Sequence, residues 1–156
     1  MRKAFYNRMP EAEFVTERPF YFPWQKKKIV ALADLIVEKY DTGEDIVLVG
    51  FSLGGLIACA VMPRFKKSKV RMVVTIAAPH RLSFFYRWLK FKPHQLPVPV
   101  VTFVGIFDLV SLWFLTRFPG NIRINLPSDH FILFLFSPWP ARRIASEVAA
   151  RLKSGA

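Results

Sequence analysis

The segment Asp45-Ile-Val-Leu-Val-Gly-Phe-Ser-Leu-Gly-Gly-Leu-Ile-Ala-Cys-Ala-Val-Met62 decides how this chain folds. Residues 46–49 form an apolar run that is typical of a strand buried on both faces. Gly50 and Gly54 then flank Ser52 at the G-x-S-x-G spacing, and small apolar residues that favour a helix follow. Because a strand-to-helix turn of this spacing is sharp, we expect a Cβ at either glycine to collide with the neighbouring strand or helix. The further Gly55 is expected to let the helix and the sheet approach closely.

The position of Ser52 in this segment predicts a reactive hydroxyl. A sharp turn lifts the Ser52 Oγ to the carboxyl end of a parallel sheet and aims the first free N–H groups of the helix at the same point. Ser52 is therefore a candidate nucleophile, and the backbone N–H of Leu53 is a candidate donor to an oxyanion. The alternative is an ordinary turn in which Ser52 only caps the helix.

The composition limits the class of protein. The chain has 156 residues, 53% of them hydrophobic, which is enough for one domain with a substantial core and too apolar for a disordered chain. A single cysteine, Cys59, excludes a disulfide framework and predicts a small buried core residue in a reducing compartment. The chain opens with polar and basic residues rather than a secretory pattern, so we expect a cytoplasmic protein. The longest apolar stretch, residues 98–115, contains Asp108 and favours a strand and a loop over a membrane span.

Three further runs predict strands, at residues 70–77, 98–104 and 121–126, the last alternating as a half-exposed strand does. Helical spacing of apolar residues predicts helices at 25–40 and 140–152, besides the helix after Ser52. Strands that alternate with helices indicate an α/β fold, a three-layer sandwich with a mostly parallel sheet. No repeat or composition boundary interrupts the sequence, so residues 1–156 are expected to form a single domain.

Reactive groups in an open parallel sheet collect where the strands end. Asp108 follows the 98–104 run and His130 follows the 121–126 run, so Ser52, Asp108 and His130 have the order of a catalytic triad in this architecture. His130 would take the proton of Ser52, and Asp108 would orient the imidazole and stabilise its charged form. His80, after the 70–77 run, either lines the site or is a plain loop residue. No histidine pair has ligand spacing, so we expect no metal, and no cofactor is indicated.

These segments resemble the α/β-hydrolase superfamily, in particular its lipase- and esterase-like members, over about residues 24–152. The resemblance implies a small or truncated α/β-hydrolase fold, with Ser52, Asp108 and His130 as nucleophile, acid and base. In the family a loop that often begins His-Gly supplies a second oxyanion donor; no such loop precedes Ser52, so a half-made oxyanion hole is expected. The resemblance rests on Val47-Leu-Val-Gly-Phe-Ser-Leu-Gly-Gly55 for the nucleophile turn, Thr75-Ile-Ala-Ala-Pro-His80 for a strand end of many lipases, Val104-Gly-Ile-Phe-Asp108 for the acid loop and Asp129-His130 for the histidine segment.

Residues 81–97 are expected to form a small lid or a crossover segment. Aromatic and basic residues interleave at near-helical spacing from Arg81 to Lys92, which suits a cap, a helix packed on the sheet, or contact with an anionic membrane. The formal net charge of +12 favours such peripheral contact, and no motif indicates specific nucleic-acid binding. Residues near the strand ends are candidates to line an apolar substrate pocket; they are Phe51, His80, Trp113 and Phe131.

Two functions from different classes are consistent with these features. The first is a serine hydrolase that cleaves small-molecule carboxylic esters of apolar acids through an acyl-enzyme. The second is a catalytically weak or silent hydrolase-like domain that binds anionic lipid or a protein partner. The G-x-S-x-G turn and the order of the triad favour the first, whereas the missing donor loop and the basic charge favour the second.

Overall fold

A computed structural model of the chain describes residues 7–10, 25–81, 83–91, 96–109, 116, 121–129 and 138–154, with only the backbone described at 83–85 and 138. Every strand and helix that the sequence predicted is present, with bounds shifted by one or two residues. The helices are α1 (Lys26–Tyr40), α2 (Leu53–Val61), α3 (Ser83–Trp88) and α4 (Pro138–Ser154). The strands are β1 (Asp45–Phe51), β2 (Lys69–Ile76), β3 (Val100–Gly105) and β4 (Ile122–Leu126).

The four strands form one parallel sheet in the order β1-β2-β3-β4. Gly50 lies opposite Thr75, which in turn lies opposite Thr102 on the next strand. The register between β1 and β2 shifts near Ile46, where Arg71 is an extra residue on β2. Since all the strands run the same way, their carboxyl ends share one edge of the sheet, the carboxyl edge, and their starts share the amino edge.

Helices cover the sheet on both faces, which confirms the predicted three-layer sandwich. One buried cluster joins α1, α2 and α3 to one face and includes Leu56, Cys59 and Val73. The other joins α4 to the opposite face and includes Phe103 and Ile144. Cys59 is fully buried, as predicted, and burial raises the pKa of its thiol. None of the helices in the described ranges is both long and apolar enough to span a membrane.

Strand β1 departs from the prediction that it is buried on both faces. Only Gly50 is fully buried, and the Val49 side chain is 43% exposed. Within the described part of the chain β1 pairs with β2 alone and is therefore the outermost strand there. The prediction is wrong because an apolar run does not reveal which strand of a sheet is outermost.

Charged residues at the amino edge pair with one another. Arg71 Nη1 lies 3.2 Å from Asp45 Oδ2. The carboxylate of Asp41 accepts the backbone N–H groups of residues 66–68 at 2.7–3.0 Å. The N–H of Ser68 is the main cause that lowers the pKa of Asp41. Asp41 and Asp45 are thus matched by neighbouring donors.

Candidate active site

Ser52 lies in the sharp turn between β1 and α2, with φ 50° and ψ −121°. A positive φ is uncommon for a residue other than glycine, and it persists only where the surrounding structure holds it. Here the Ser52 N–H donates to the carbonyl of Ile76 at 2.8 Å, and the Ser52 carbonyl accepts the N–H of Gly55 at 3.0 Å. The Ser52 side chain makes no capping hydrogen bond to α2. The alternative of a serine that only caps the helix is therefore not what the structure shows.

Two glycines allow the turn to be this tight. A Cβ on Gly50 would lie 2.5 Å from the backbone nitrogen of Gly55 and closer still to the carbonyl oxygen of Gly54. A Cβ on Gly55 would lie 2.6 Å from the Cβ of Ala78, which follows β2. The expected collision at Gly54 is wrong: no described atom lies within 4 Å of a Cβ added there. The second essential glycine is Gly55, because it faces the end of β2.

The start of α2 supplies donors beside Ser52. The first N–H groups of a helix have no intrahelical acceptor. Leu53 is the first residue of α2 and directly follows Ser52, so its N–H has no partner within the helix. A helix N-terminus also carries a partial positive charge, which together with the Leu53 N–H favours an anion beside Ser52.

Asp108 lies at the carboxyl edge, in the turn that follows β3. Its side chain is 1% exposed, and its N–H donates to the carbonyl of Gly105 at 3.2 Å. Two hydrogen bonds join this turn to the end of β4 and the segment after it: Ile106 N–H to the carbonyl of Leu126 at 3.0 Å, and Phe107 N–H to the carbonyl of Ser128 at 3.2 Å. The turn that carries Asp108 is thus held against the segment that leads to residue 130.

Three of the predicted site residues lie outside the described residues: His130, Trp113 and Phe131. The arrangement of Ser52, Asp108 and His130 as a triad therefore stays a prediction. Phe51 ends β1 and is half-buried, and it packs against the cluster beneath α4. Its role in a substrate pocket also stays a prediction.

His80 belongs to a buried polar network that the sequence analysis did not predict. Its Nε2 lies 3.0 Å from Thr75 Oγ1, and its Nδ1 lies 2.7 Å from the hydroxyl of Tyr86 on α3. Thr75 continues the network to Thr102 Oγ1 at 2.9 Å, which accepts from Asn121 Nδ2 at 2.7 Å. Burial lowers the pKa of His80 to about 3, so the ring is neutral at physiological pH. Whether His80 also lines a substrate pocket stays a prediction.

The sequence did contain a signal for this network. Thr75 and Thr102 are hydroxyl residues in the middle of otherwise apolar strands, and buried hydroxyls require hydrogen-bond partners. The two strands place them at paired register positions. The network lies directly beneath the turn, since a Cβ on Gly55 would be 3.1 Å from the Cβ of Thr75. It therefore supports the start of α2 from below.

Metal ligands do not gather in the described part of the chain: no group of three His, Cys, Asp or Glu side chains there could hold an ion. Of the predicted reactive groups, the described residues bring Ser52, the N-terminus of α2 and the buried carboxyl group of Asp108 to this edge.

Comparisons with known proteins agree with the observed architecture. The family model described as alpha/beta hydrolase fold matches residues 24–155. The esterase domain of a Rhodothermus marinus protein is similar in structure, with a TM-score of 0.62 and 16% identity over 98% of this chain and 79% of that chain. A monoacylglycerol lipase from Paleococcus ferrophilus has a TM-score of 0.55 and 14% identity over 84% of this chain and 76% of that chain.

RedJ, solved with a polyethylene glycol molecule in its active site, has a TM-score of 0.55 and 19% identity over 86% of this chain and 74% of that chain. A comparison with curated proteins gives no match. At these identities the solved structures show a common fold, and the family model covers most of the chain. The chain is thus a member of the alpha/beta hydrolase fold family.

Proposed function

We propose that this protein is a serine hydrolase that cleaves carboxylic esters of apolar acids through an acyl-enzyme. Ser52 is the nucleophile, His130 the general base and then the general acid, and Asp108 the residue that orients the imidazole. The backbone N–H of Leu53 donates to the oxyanion. The observation that carries the proposal is the backbone of Ser52, held at φ 50° at the N-terminus of α2.

The strain at Ser52 supports a catalytic role rather than a structural one. A residue held in a sparsely populated backbone region costs about 1–3 kcal/mol, and such residues concentrate at active sites. A serine that caps a helix has an ordinary extended backbone conformation, which is not strained. Ser52 has neither that backbone nor the capping hydrogen bond. Its side chain is half-buried, and the residue directly precedes Leu53, whose N–H has no partner within the helix.

The position of Asp108 supports its role in the triad. A carboxyl group that orients a histidine is typically buried and fixed. Asp108 is buried, and the hydrogen bond from Phe107 to Ser128 brings its turn against the chain two residues before His130. The proposal therefore requires the imidazole of His130 to lie between Asp108 and Ser52.

The reaction follows from these roles. His130 accepts the Ser52 hydroxyl proton as Oγ attacks the ester carbonyl, and the oxyanion that forms accepts from the Leu53 N–H. The C–O bond to the leaving alcohol breaks as His130 returns the proton to the departing oxygen, which leaves an acyl group on Ser52. Water, deprotonated by His130, then attacks the acyl carbon, and the Ser52 oxygen leaves with that proton as the acid is released.

Two lines support an apolar acyl group. Phe51 ends β1, and Trp113 and Phe131 follow β3 and β4 in the sequence; an open parallel sheet binds its ligands beyond the ends of its strands. Two of the similar structures are named as an esterase domain and a monoacylglycerol lipase. These names describe those two proteins. For this chain, the preferred acyl length is to be measured with a series of esters.

A fluorophosphonate probe tests the nucleophile directly. We expect it to label the wild type and Ser154→Ala, a matched loss of a serine hydroxyl on α4, but not Ser52→Ala. With p-nitrophenyl esters of increasing acyl length, Asp108→Asn and His130→Ala should each lower turnover by about 10⁴. Equal labelling of the wild type and Ser52→Ala would refute the proposal. A folded chain that is neither labelled nor active would indicate a catalytically silent domain instead.

A further inference from the structure

Three basic side chains at the carboxyl edge are exposed and have no ion-pair partner among the described residues. Arg81 follows β2, and Arg87 and Lys90 belong to the segment that contains α3. All three are exposed, and none forms an ion pair with any described residue. Two described acidic residues follow strand ends here: Asp108 is buried and Asp129 is half-buried. This edge is therefore positive at its surface.

The segment with α3 is held close to that edge. The hydroxyl of Tyr86 is hydrogen-bonded to the ring of His80, one residue before Arg81. Tyr86 and Leu89 are buried in the cluster beneath α2 and α3, so these apolar side chains are not accessible to a ligand. Because the two apolar residues point inward, the neighbouring Arg87 and Lys90 face solvent. Of the described side chains of this segment, Arg87 and Lys90 are the exposed ones.

Exposed apolar side chains come instead from the turn after β3. Seven large hydrophobic residues are exposed in the described ranges, and three of them, Ile106, Phe107 and Leu109, fall within four positions. Phe107 is 65% exposed and Leu109 is 82% exposed. The backbone hydrogen bonds to Leu126 and Ser128 fix the turn in place. β3 is the sheet neighbour of β2, so this turn lies beside the end that leads to Arg81.

We propose that this carboxyl-edge surface docks onto an anionic phospholipid membrane. It consists of Arg81, Arg87, Lys90, Ile106, Phe107 and Leu109. The apolar turn enters the boundary between headgroups and acyl chains, and the cations bind lipid phosphates, a combination that anionic membrane surfaces favour. A nucleic acid would use the cations but leave aliphatic side chains without a partner. Docking also turns Ser52 towards the lipid. The docking itself does not depend on the proposed function; only the use of Ser52 on a lipid ester does.

Flotation with lipid vesicles tests the docking by itself. The full chain carries Ser52→Ala, so that binding is measured without any turnover and a failure of the hydrolase proposal leaves the result intact. We expect at least tenfold tighter binding to phosphatidylcholine vesicles containing phosphatidylglycerol than to phosphatidylcholine alone. The preference should weaken as salt is raised, because the Debye length shrinks.

A pair of charge variants distinguishes binding through this surface from a general attraction by the net charge of the whole chain. The carboxyl-edge variant, Arg81→Gln/Arg87→Gln/Lys90→Gln, should bind the vesicles about a hundredfold more weakly, at roughly fivefold for each cation. The amino-edge variant, Lys66→Gln/Lys67→Gln/Lys69→Gln, removes the same charge from the opposite edge. Its affinity for the vesicles should fall less than fivefold. All six side chains are exposed. Circular dichroism and thermal unfolding serve to check that each variant folds.

An apolar variant tests the turn. Phe107→Ser/Leu109→Ser should bind at least tenfold more weakly, whereas Leu35→Ser, which removes a half-exposed leucine from α1, should bind as the parent does. Equal losses in the two charge variants, or no loss in the apolar variant, would overturn the proposal. So would the absence of vesicle binding. Tighter binding to a DNA duplex, independent of Phe107 and Leu109, would assign the cations to nucleic acid and overturn it as well.

Discussion

Replacing Gly50 with alanine should destabilise the protein far more than replacing Gly54, although the two glycines are symmetric about Ser52 in the sequence. The added Cβ at position 50 would meet the backbone of Gly54 and Gly55, at 2.5 Å from the Gly55 nitrogen. Backbone atoms cannot rotate away as the end of a side chain can. Strand β1 and helix α2 would therefore have to move apart by roughly 1 Å.

The magnitude follows from the cost of overpacking. Extra methyl groups in a well-packed site cost about 1–3 kcal/mol, and we expect Gly50→Ala to lie near 3 kcal/mol because the obstacle is backbone. The same movement displaces Ser52, and a misplacement of about 1 Å lowers turnover by about a hundredfold. Gly54→Ala meets open space among the described residues and gains up to about 1 kcal/mol of helix propensity. It should be neutral or slightly stabilising.

Urea unfolding monitored by circular dichroism measures the free energy of unfolding of both variants, and fluorophosphonate labelling monitors Ser52. We expect Gly50→Ala to unfold at lower urea and label slowly, and Gly54→Ala to resemble the wild type in both. Two results would refute the reasoning: a Gly50→Ala loss below about 0.5 kcal/mol, which is the range of surface substitutions, or equal losses in the two variants.

Two further predictions concern backbone strain and buried polarity. Ser52→Gly should be about 1 kcal/mol more stable than Ser52→Ala in urea unfolding, because glycine adopts a positive φ without steric cost and both variants lack the hydroxyl; equal stabilities would mean that the turn is not strained. The stability of the wild type should fall by about 1.4 kcal/mol for each pH unit below His80's ordinary pKa of 6.5, because the unfolded chain takes up a proton that folded His80, with a pKa of about 3, does not. Above pH 6.5 this contribution vanishes, and His80→Gln should lack the slope; a slope that survives the substitution would assign the titration to another group.

Local patterns in the sequence predicted the elements and the turn at Ser52. Apolar runs of strand length, helical spacing and the G-x-S-x-G segment depend on a few neighbouring residues, so they can be read without knowing the fold. The four strands, their parallel pairing and the covering helices are confirmed by the structure. The same local reasoning placed Asp108 just beyond β3, where it is found, buried.

Contacts between distant segments decided what the sequence did not. The exposure of Val49 depends on β1 being the outermost described strand, and the open space at Gly54 depends on which side of α2 meets Ala78. The His80 network depends on the register that sets Thr75 beside Thr102. The sequence by itself determined where strands, helices and the strained turn form, because backbone conformation follows from local sterics and periodicity. Only the tertiary structure decided which side chains meet, because register and strand position arise from packing between residues far apart in the chain.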